Sequence, residues 1–310
     1  MRTAFIRALL ELAENDERIY LIVGDLGYSV VERFAQRFPS RYLNVGVAEQ
    51  NMTGIAAGMA LSGKVVFTYS IANFPTLRCL EQIRNDVCYH EADVKIVSIG
   101  GGLAYGALGM THHATEDLAI MRALPGMVAV APGDPIEAEG ATRAIAGQSG
   151  PCYLRLGKAG EPNVHAPGTH FSLGKAITVR EGDDVTLIAT GGLLYNTVKV
   201  AEQLSLNGLE ARVLSMHTLK PLDTESILAA ASQTSAIVTV EEHSLIGGLG
   251  SAVAEVLAEL GGRKPPLTRL ALRSGFVPEV GSQDYLRETE GLSVNGILRS
   301  LQRVLQSVEK

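Results

Sequence analysis

Short apolar runs alternate with longer amphipathic stretches through the first half of the chain. The run at 19–23 contains no charged residue, and its length and composition are typical of a strand buried on both faces. Comparable runs predict further strands at Arg41–Val45, Lys64–Tyr69, Val94–Ile99, Met127–Ala131 and Cys152–Leu156. The segments between them predict helices near Val30–Arg37 and at Ala48–Ser62, Asn73–His90, Glu116–Leu124 and Asp134–Ala146. This alternation predicts an α/β unit with a largely parallel sheet that helices cover on both faces.

The second half of the chain repeats this organisation on a smaller scale. Its predicted strands lie at Val185–Ala189, Ala211–Leu214, Ile237–Val240 and Leu267–Leu270. Its predicted helices lie at Leu194–Leu206, Gly247–Leu260 and Val294–Gln306. The intervening stretch contains Pro162, Pro167 and several glycines with little apolar periodicity, which is typical of a linker. We therefore predict two consecutive α/β domains, residues 1–160 and 173–310, joined by a linker at 161–172.

Composition and charge narrow the class of protein. Hydrophobic residues make up 46% of the 310 residues and charged residues 19%, as in ordinary globular proteins. The net charge of −6 gives no basic surface of the kind that binds nucleic acid. We also expect no membrane-spanning helix and no signal peptide. The three cysteines, Cys79, Cys88 and Cys152, have no C-x-x-C spacing and fit a reducing compartment, so we expect a cytoplasmic protein.

Glu49 is the first candidate for chemistry. It lies in the stretch 44–52, which follows a predicted strand and opens a helix rich in small residues. A carboxylate in the first turn of a helix usually only offsets the helix dipole. The position of Glu49 alone therefore does not distinguish a structural residue from a catalytic one.

Two other positions follow predicted strands in the same way. His112 and His113 lie in a glycine-rich loop beyond the strand Val94–Ile99, where ligand crevices occur in open α/β sheets. Either histidine could instead be an ordinary hydrogen-bonded loop residue. Phe74 follows the strand Lys64–Tyr69, and it could be a core residue or a flat platform for a heteroaromatic ring.

Five blocks, taken together, resemble the second half of transketolase-type thiamine-diphosphate enzymes. The blocks are Val23–Gly27, Val45–Asn51, Gly109–His113, Val130–Pro135 and Glu241–Gly250. The resemblance covers essentially the whole chain in the family's order, with a pyrimidine-binding domain followed by a transketolase C-terminal domain.

The resemblance implies which residues bind thiamine diphosphate. Glu49 matches the carboxyl residue that hydrogen-bonds N1′ of the aminopyrimidine and so promotes loss of the thiazolium C2 proton. Phe74 matches the aromatic residue that stacks on the pyrimidine. Ile71 and Leu77 stand where many members have aromatic residues flanking the ring, so the ring contacts here would be more aliphatic.

The resemblance also implies substrate-binding residues. His112 matches the histidine near the reacting end of the sugar, as a proton shuttle or hydroxyl ligand, and His113 is a further candidate. Lys158 aligns with a phosphate-binding arginine of the family, with Arg155 nearby. Two other substrate positions of the phosphosugar enzymes, a histidine and an aspartate, are Gly100 and Leu108 here. A sugar or sugar phosphate is therefore implied, and a non-phosphorylated or unusual sugar fits these departures.

The family's diphosphate-binding domain carries a G-D-G motif followed by an asparagine, which hold Mg²⁺ and the diphosphate. No G-D-G motif occurs in this chain. The resemblance is therefore to the C-terminal subunit of a split transketolase, with an N-terminal partner chain that supplies the Mg²⁺ ligands, in an α2β2 heterotetramer.

Three alternatives stay open at the level of sequence. The chain could be the β subunit of a 2-oxo acid dehydrogenase, part of a 1-deoxyxylulose-5-phosphate synthase-like enzyme, or a non-catalytic scaffold subunit.

Overall fold

The computed structural model describes residues 1–262 and 264–308, and the strands in this part of the chain form two sheets. The first sheet is built mainly from β1 (Ile19–Val23), β2 (Tyr42–Asn44), β3 (Val65–Ile71), β4 (Val94–Ile99), β5 (Val128–Val130) and β6 (Cys152–Leu156). These strands pair in parallel in the order β5-β6-β4-β3-β1-β2. The helices of this domain are α1 (Arg2–Asn15), α2 (Glu32–Arg37), α3 (Glu49–Leu61), α4 (Leu80–Gln82), α5 (Asp117–Ala123) and α6 (Pro135–Gly147).

The second sheet comprises β7 (Ile177–Arg180), β8 (Val185–Ala189), β9 (Ala211–Ser215), β11 (Ala236–Ser244) and β12 (Leu267–Leu272), in the order β12-β11-β8-β9-β7. Its pairings are parallel except for the antiparallel edge strand β7. The helices are α7 (Leu194–Ser205), α8 (Thr224–Gln233), α9 (Leu249–Glu259), α10 (Gln283–Thr289) and α11 (Val294–Val308). The predicted fold class, two α/β domains with largely parallel sheets, is confirmed.

One strand crosses between the domains. β10 (Thr218–Lys220) comes from the second half of the chain but pairs antiparallel with β5 at the edge of the first sheet. The linker region is also held in place, since the backbone N–H groups of Val164 and His165 both donate to Asp134 Oδ2 at 2.8 Å. The two domains therefore share hydrogen bonds as well as a connecting segment.

The predicted helix Asn73–His90 is wrong in its first part. Residues 72–76 form turns, Leu77–Cys79 form a 3-10 turn, and the helix proper starts with α4 and continues as a π-helix at Ile83–Cys88. Pro75 explains the late start, because a proline disfavours helical backbone in the residue before it. The consequence is local: the side chains of Phe74 and Arg78 are presented by turns at the carboxyl end of β3.

Several elements of the second domain were not predicted. β7, β10, α8 and α10 are additional elements, and β11 continues through Glu241–His243. No helix within residues 1–262 and 264–308 is both long enough and apolar enough to cross a membrane.

Candidate active site

Glu49 is the first residue of α3, and its side chain is only 1% exposed. Its Oε1 accepts a hydrogen bond from Ser70 Oγ at 3.3 Å, and its Oε2 is 2.6 Å from Arg78 Nη1. Gly24, just after β1, lies beside it, and a Cβ added there would be in van der Waals contact with the Glu49 side chain at 3.4 Å. The carboxylate thus lies at the carboxyl ends of the central parallel strands, where α/β sheets bind ligands.

Phe74 lies near this carboxylate on the turn after β3. Its ring is 4.7 Å from Arg78 Cζ and 5.2 Å from the His112 ring, measured between ring centres for the histidine. Ile71 is partly buried, and the Leu77 side chain is exposed. The structure therefore brings Phe74 and His112 into contact and links Glu49 to Phe74 through Arg78.

His112 and His113 occupy different environments in one compact loop. The loop is closed at its base by paired backbone hydrogen bonds between Gly102 and Ala114. His112 is partly exposed, and its Nδ1 lies 3.0 Å from Thr111 Oγ1. His113 is buried, and burial lowers the pKa of its imidazole because it disfavours the charged form.

Arg155, on β6, is buried and paired internally. Its Nε donates to Asp117 Oδ2 at 2.8 Å, and its Nη2 donates to the carbonyl oxygens of Ala114 and Glu242. Burial alone would lower the pKa of this guanidinium, but the Asp117 carboxylate, together with Tyr153 and Glu242, raises it above its ordinary value. Arg155 borders a cavity of about 330 Å³ between the domains, which Arg287 and Gly191 also line.

Lys158 is exposed, and its Nζ lies 4.9 Å from the ring centre of Tyr105. The Tyr105 ring is in turn 6.3 Å from the His112 ring. It covers Gly100, where an added Cβ would lie 2.1 Å from Tyr105 Cε2. Phe74, His112, Tyr105 and Lys158 therefore follow one another along a continuous strip of side chains.

Sequence reasoning missed three residues of this region. Ser70 and Arg78 contact Glu49 directly, and Tyr105 fills the space above Gly100. The available signal for Arg78 was its spacing of four residues from Phe74, and for Tyr105 its place in a glycine-rich loop. Neither signal specifies a contact without knowledge of the turns.

In the part of the chain that the structure describes, the acidic and histidine side chains do not form a metal centre of their own. Within residues 1–262 and 264–308, no three His, Cys, Asp or Glu side chains are grouped so that they could hold a metal ion.

Family models match both domains. The model of the transketolase pyrimidine-binding domain matches residues 1–161, and that of the transketolase C-terminal domain matches residues 174–297.

Two relatives align over most of their length. The chain is 41% identical to the 6-deoxy-6-sulfo-D-fructose transketolase subunit SqwH of Clostridium sp. (strain MSTE9), over 99% of this chain and 94% of the relative. It is 42% identical to an apulose-4-phosphate transketolase subunit of Phocaeicola vulgatus, over 83% of each chain.

A solved structure shows the same architecture. A split-gene transketolase, solved as an inactive beta4 tetramer, superposes with a TM-score of 0.88 at 38% identity, covering 98% of this chain and 97% of that one. The chain therefore belongs to the transketolase family, whose enzymes depend on thiamine diphosphate. Within that family it corresponds to the C-terminal subunit of a split transketolase, as the sequence resemblance predicted.

Proposed function

We propose that this chain supplies the aminopyrimidine half of a thiamine-diphosphate site and that the assembled enzyme transfers a two-carbon ketol unit from a ketose to an aldose. The observation that carries the proposal is the position of Glu49. A carboxylate buried at the carboxyl end of a parallel sheet, with an aromatic side chain nearby, has the chemistry that an aminopyrimidine requires.

The side chains present fit the coenzyme ring. Glu49 would hydrogen-bond N1′, the Phe74 ring would lie against the pyrimidine face, and Ile71 and Leu77 would add aliphatic contacts at its edges. Burial of Glu49 excludes water from that hydrogen bond and so strengthens it. The bound coenzyme would supply the electron sink for carbon–carbon bond cleavage, while the protein orients it and tunes its electronics.

His112 is the proposed proton carrier and hydroxyl ligand at the reacting end of the sugar. It is partly exposed and contacts Phe74, so a substrate next to the coenzyme ring could reach its imidazole. His113 is less accessible, and its carbonyl oxygen accepts a hydrogen bond from Asn73. We therefore propose that His113 acts mainly by holding the loop that carries His112.

We propose a ketose that bears an anionic group as the substrate class, since the relatives above are named for a sulfonated ketose and a ketose phosphate. Lys158 is exposed at the far end of the strip from Phe74, where it can meet such a group. Arg155 already donates to Asp117 and to two carbonyl groups. Lys158 is therefore the proposed direct contact, and Arg155 supports the loop from behind.

The proposed partner is an N-terminal subunit that binds the diphosphate and Mg²⁺, in an α2β2 heterotetramer. One exposed face of α3 supports a close helix contact, because nothing lies within 4 Å of where a Cβ would stand on Gly54 or Gly58.

The proposed compartment is the cytosol. Cys79, Cys88 and Cys152 are buried as free thiols, which suits a reducing environment.

Isothermal titration calorimetry tests the divided site. The isolated chain should bind thiamine diphosphate and Mg²⁺ weakly or not at all, and addition of the N-terminal subunit should create tight binding. Tight Mg²⁺-dependent binding by the isolated chain would contradict the proposal.

A pair of glycine variants tests the contact face. Gly58→Leu should weaken assembly, because a large side chain would separate the two helices. Gly147→Leu is the matched control at the end of α6, where a Cβ also meets nothing within 4 Å. Equal assembly of both variants would place the partner on another surface.

A further inference from the structure

Arg78 lies between the two residues that the proposed function assigns to the coenzyme ring. Its Nη1 is 2.6 Å from Glu49 Oε2, and its Cζ is 4.7 Å from the centre of the Phe74 ring. One flat guanidinium therefore donates to the carboxylate with an edge and lies over the aromatic face at the same time.

These two contacts are the ones that an aminopyrimidine would make in this site. The pyrimidine also is flat, with an edge for Glu49 and a face for Phe74, so the two groups cannot hold both partners together. We propose that Arg78 is a placeholder: it occupies the aminopyrimidine position in the chain without coenzyme and leaves when the coenzyme binds. This inference rests on the proposed function.

The burial of Glu49 explains why such a placeholder stabilises the chain. An ionised carboxylate taken out of water without a partner is strongly destabilising. Ser70 Oγ, at 3.3 Å, also donates to this carboxylate. Arg78 supplies the charged donor until the coenzyme ring replaces it.

Arg78 is the member of the pair that can move. Its side chain is 44% exposed, and it projects from the short 3-10 turn Leu77–Cys79. Glu49 is fixed in the first turn of α3, where Thr53 Oγ1 donates to its carbonyl oxygen. A displaced guanidinium would enter water, where it is well solvated, so its departure leaves no buried group unpaired.

A placeholder and a permanent orienting residue predict opposite changes in coenzyme affinity when Arg78 is removed. If Arg78 competes with the coenzyme, its removal strengthens coenzyme binding. If Arg78 holds Glu49 in position beside the bound ring, its removal weakens binding. The sign of one affinity change therefore separates the two roles.

Calorimetry with thiamine diphosphate and Mg²⁺ on the assembled pair of subunits measures that sign. Arg78→Gln should bind thiamine diphosphate more tightly than wild type, by about threefold to tenfold. In this variant Glu49 and Phe74 are already free for the coenzyme ring, because no ion pair with Arg78 has to break first. Arg78→Lys keeps the charge but lacks the flat fork and should give a smaller gain. It carries the test if Arg78→Gln does not assemble.

Arg18→Gln is the matched control. It removes the same charge from an exposed pair with Asp16 that precedes β1, at the opposite end of the sheet from Glu49. Its affinity for thiamine diphosphate should equal that of wild type. Unchanged or weaker binding by the Arg78 variants would overturn the inference.

A second readout follows the contact itself. In chain labelled with ¹⁵N-arginine, the Arg78 guanidinium signals should report a held group in the free chain and a mobile one in Glu49→Gln. In the assembled pair they should become mobile when thiamine diphosphate is added. Signals that stay restrained in the coenzyme-bound pair would overturn the inference.

The two proposals fail in different ways. If the assembled wild-type subunits bind no thiamine diphosphate, the proposed function is wrong, and so is the placeholder role of Arg78. If the wild-type pair binds the coenzyme and the Arg78 variants bind no more tightly, only the placeholder is wrong.

Discussion

Asp117 and Arg155 form a buried ion pair between the start of α5 and strand β6 of the first sheet, with Arg155 Nε 2.8 Å from Asp117 Oδ2. The Tyr153 hydroxyl donates to the same carboxylate oxygen. Arg155 also binds the carbonyl oxygen of Glu242 in the second domain. The pair therefore anchors the loop that carries His112 and connects the two domains.

Loss of this pair should strongly destabilise the protein. Asp117→Asn leaves the Arg155 charge buried without its counterion, so the free energy of unfolding should fall by about 3–5 kcal/mol. Urea denaturation followed by circular dichroism measures the change. Glu139→Gln removes a carboxylate that pairs at the surface with Arg7 and Arg143, and it should cost about 1 kcal/mol or less. A similar fall in the free energy of unfolding in both variants would show that the buried pair contributes no more to stability than a surface pair.

Glu49→Gln should abolish most turnover without preventing assembly. The amide keeps the size of the side chain but cannot share a proton with the aminopyrimidine, so kcat should fall by about 100- to 10,000-fold. Steady-state kinetics of the reconstituted enzyme measure the loss, and size-exclusion chromatography checks assembly. Wild-type turnover in this variant would remove Glu49 from the chemistry.

His112→Ala should separate coenzyme activation from sugar turnover. Exchange of the coenzyme C2 proton, measured by NMR, should stay near the wild-type rate because Glu49 is intact, whereas ketol transfer should fall by about 100-fold. His90→Ala, on an exposed histidine that contacts Tyr89, is the control and should change neither rate. If proton exchange falls as far as transfer, His112 acts on the coenzyme instead.

The linker histidine should make stability depend on pH. Burial lowers the pKa of His165, but the nearby Asp134 carboxylate, 3.1 Å from Nδ1, and the charge of Glu137 outweigh burial and raise it above its ordinary value of 6.5. Because the pKa is raised in the folded state, the stabilisation is fully present below pH 6.5. It is lost as the pH rises through the folded-state pKa.

Another buried histidine also makes the free energy of unfolding depend on pH, in the opposite direction to His165. His217, on the side of the second domain, has its pKa lowered by burial to about 4, so it opposes stability on acidification. Comparison of wild type with His165→Gln cancels the larger part of that contribution, which burial causes, and leaves the smaller part that comes from the charge of His165. The difference in free energy of unfolding should be larger at about pH 6 than at about pH 8.5. His170→Gln, exposed in the same linker region, should show no such difference. A gap that widens toward alkaline pH would contradict the assignment.

The sequence predicted the parts of the fold that depend on local pattern. The apolar runs Ile19–Val23, Val94–Ile99 and Cys152–Leu156 are strands with those same bounds. β10 was missed because its three residues have no periodicity of their own, and their pairing partner β5 lies far away in the chain. Short edge strands are defined by the sheet they join, so no local pattern reveals them.

The candidate site likewise contains residues that the sequence predicted and one that it did not. Resemblance to a family singled out Glu49, Phe74 and His112, and the fold brings the last two into contact. It did not single out Arg78, because a half-exposed arginine in a predicted helix looks like any surface residue. Arg78 contacts Glu49 from the 3-10 turn that follows Pro75, where the sequence pattern predicts a continuous helix.

The crossing of β10 into the first sheet has a consequence for how the chain can be cut. A protease that nicks the segment between β6 and β7 would break the covalent connection but not the pairing of β10 with β5 or the contact of Arg155 with Glu242. The two fragments should therefore stay together on a gel-filtration column. Expression of residues 1–160 alone would instead leave β5 as a bare sheet edge, which is a site for aggregation. The two domains are distinct in sequence, but they should not dissociate in solution.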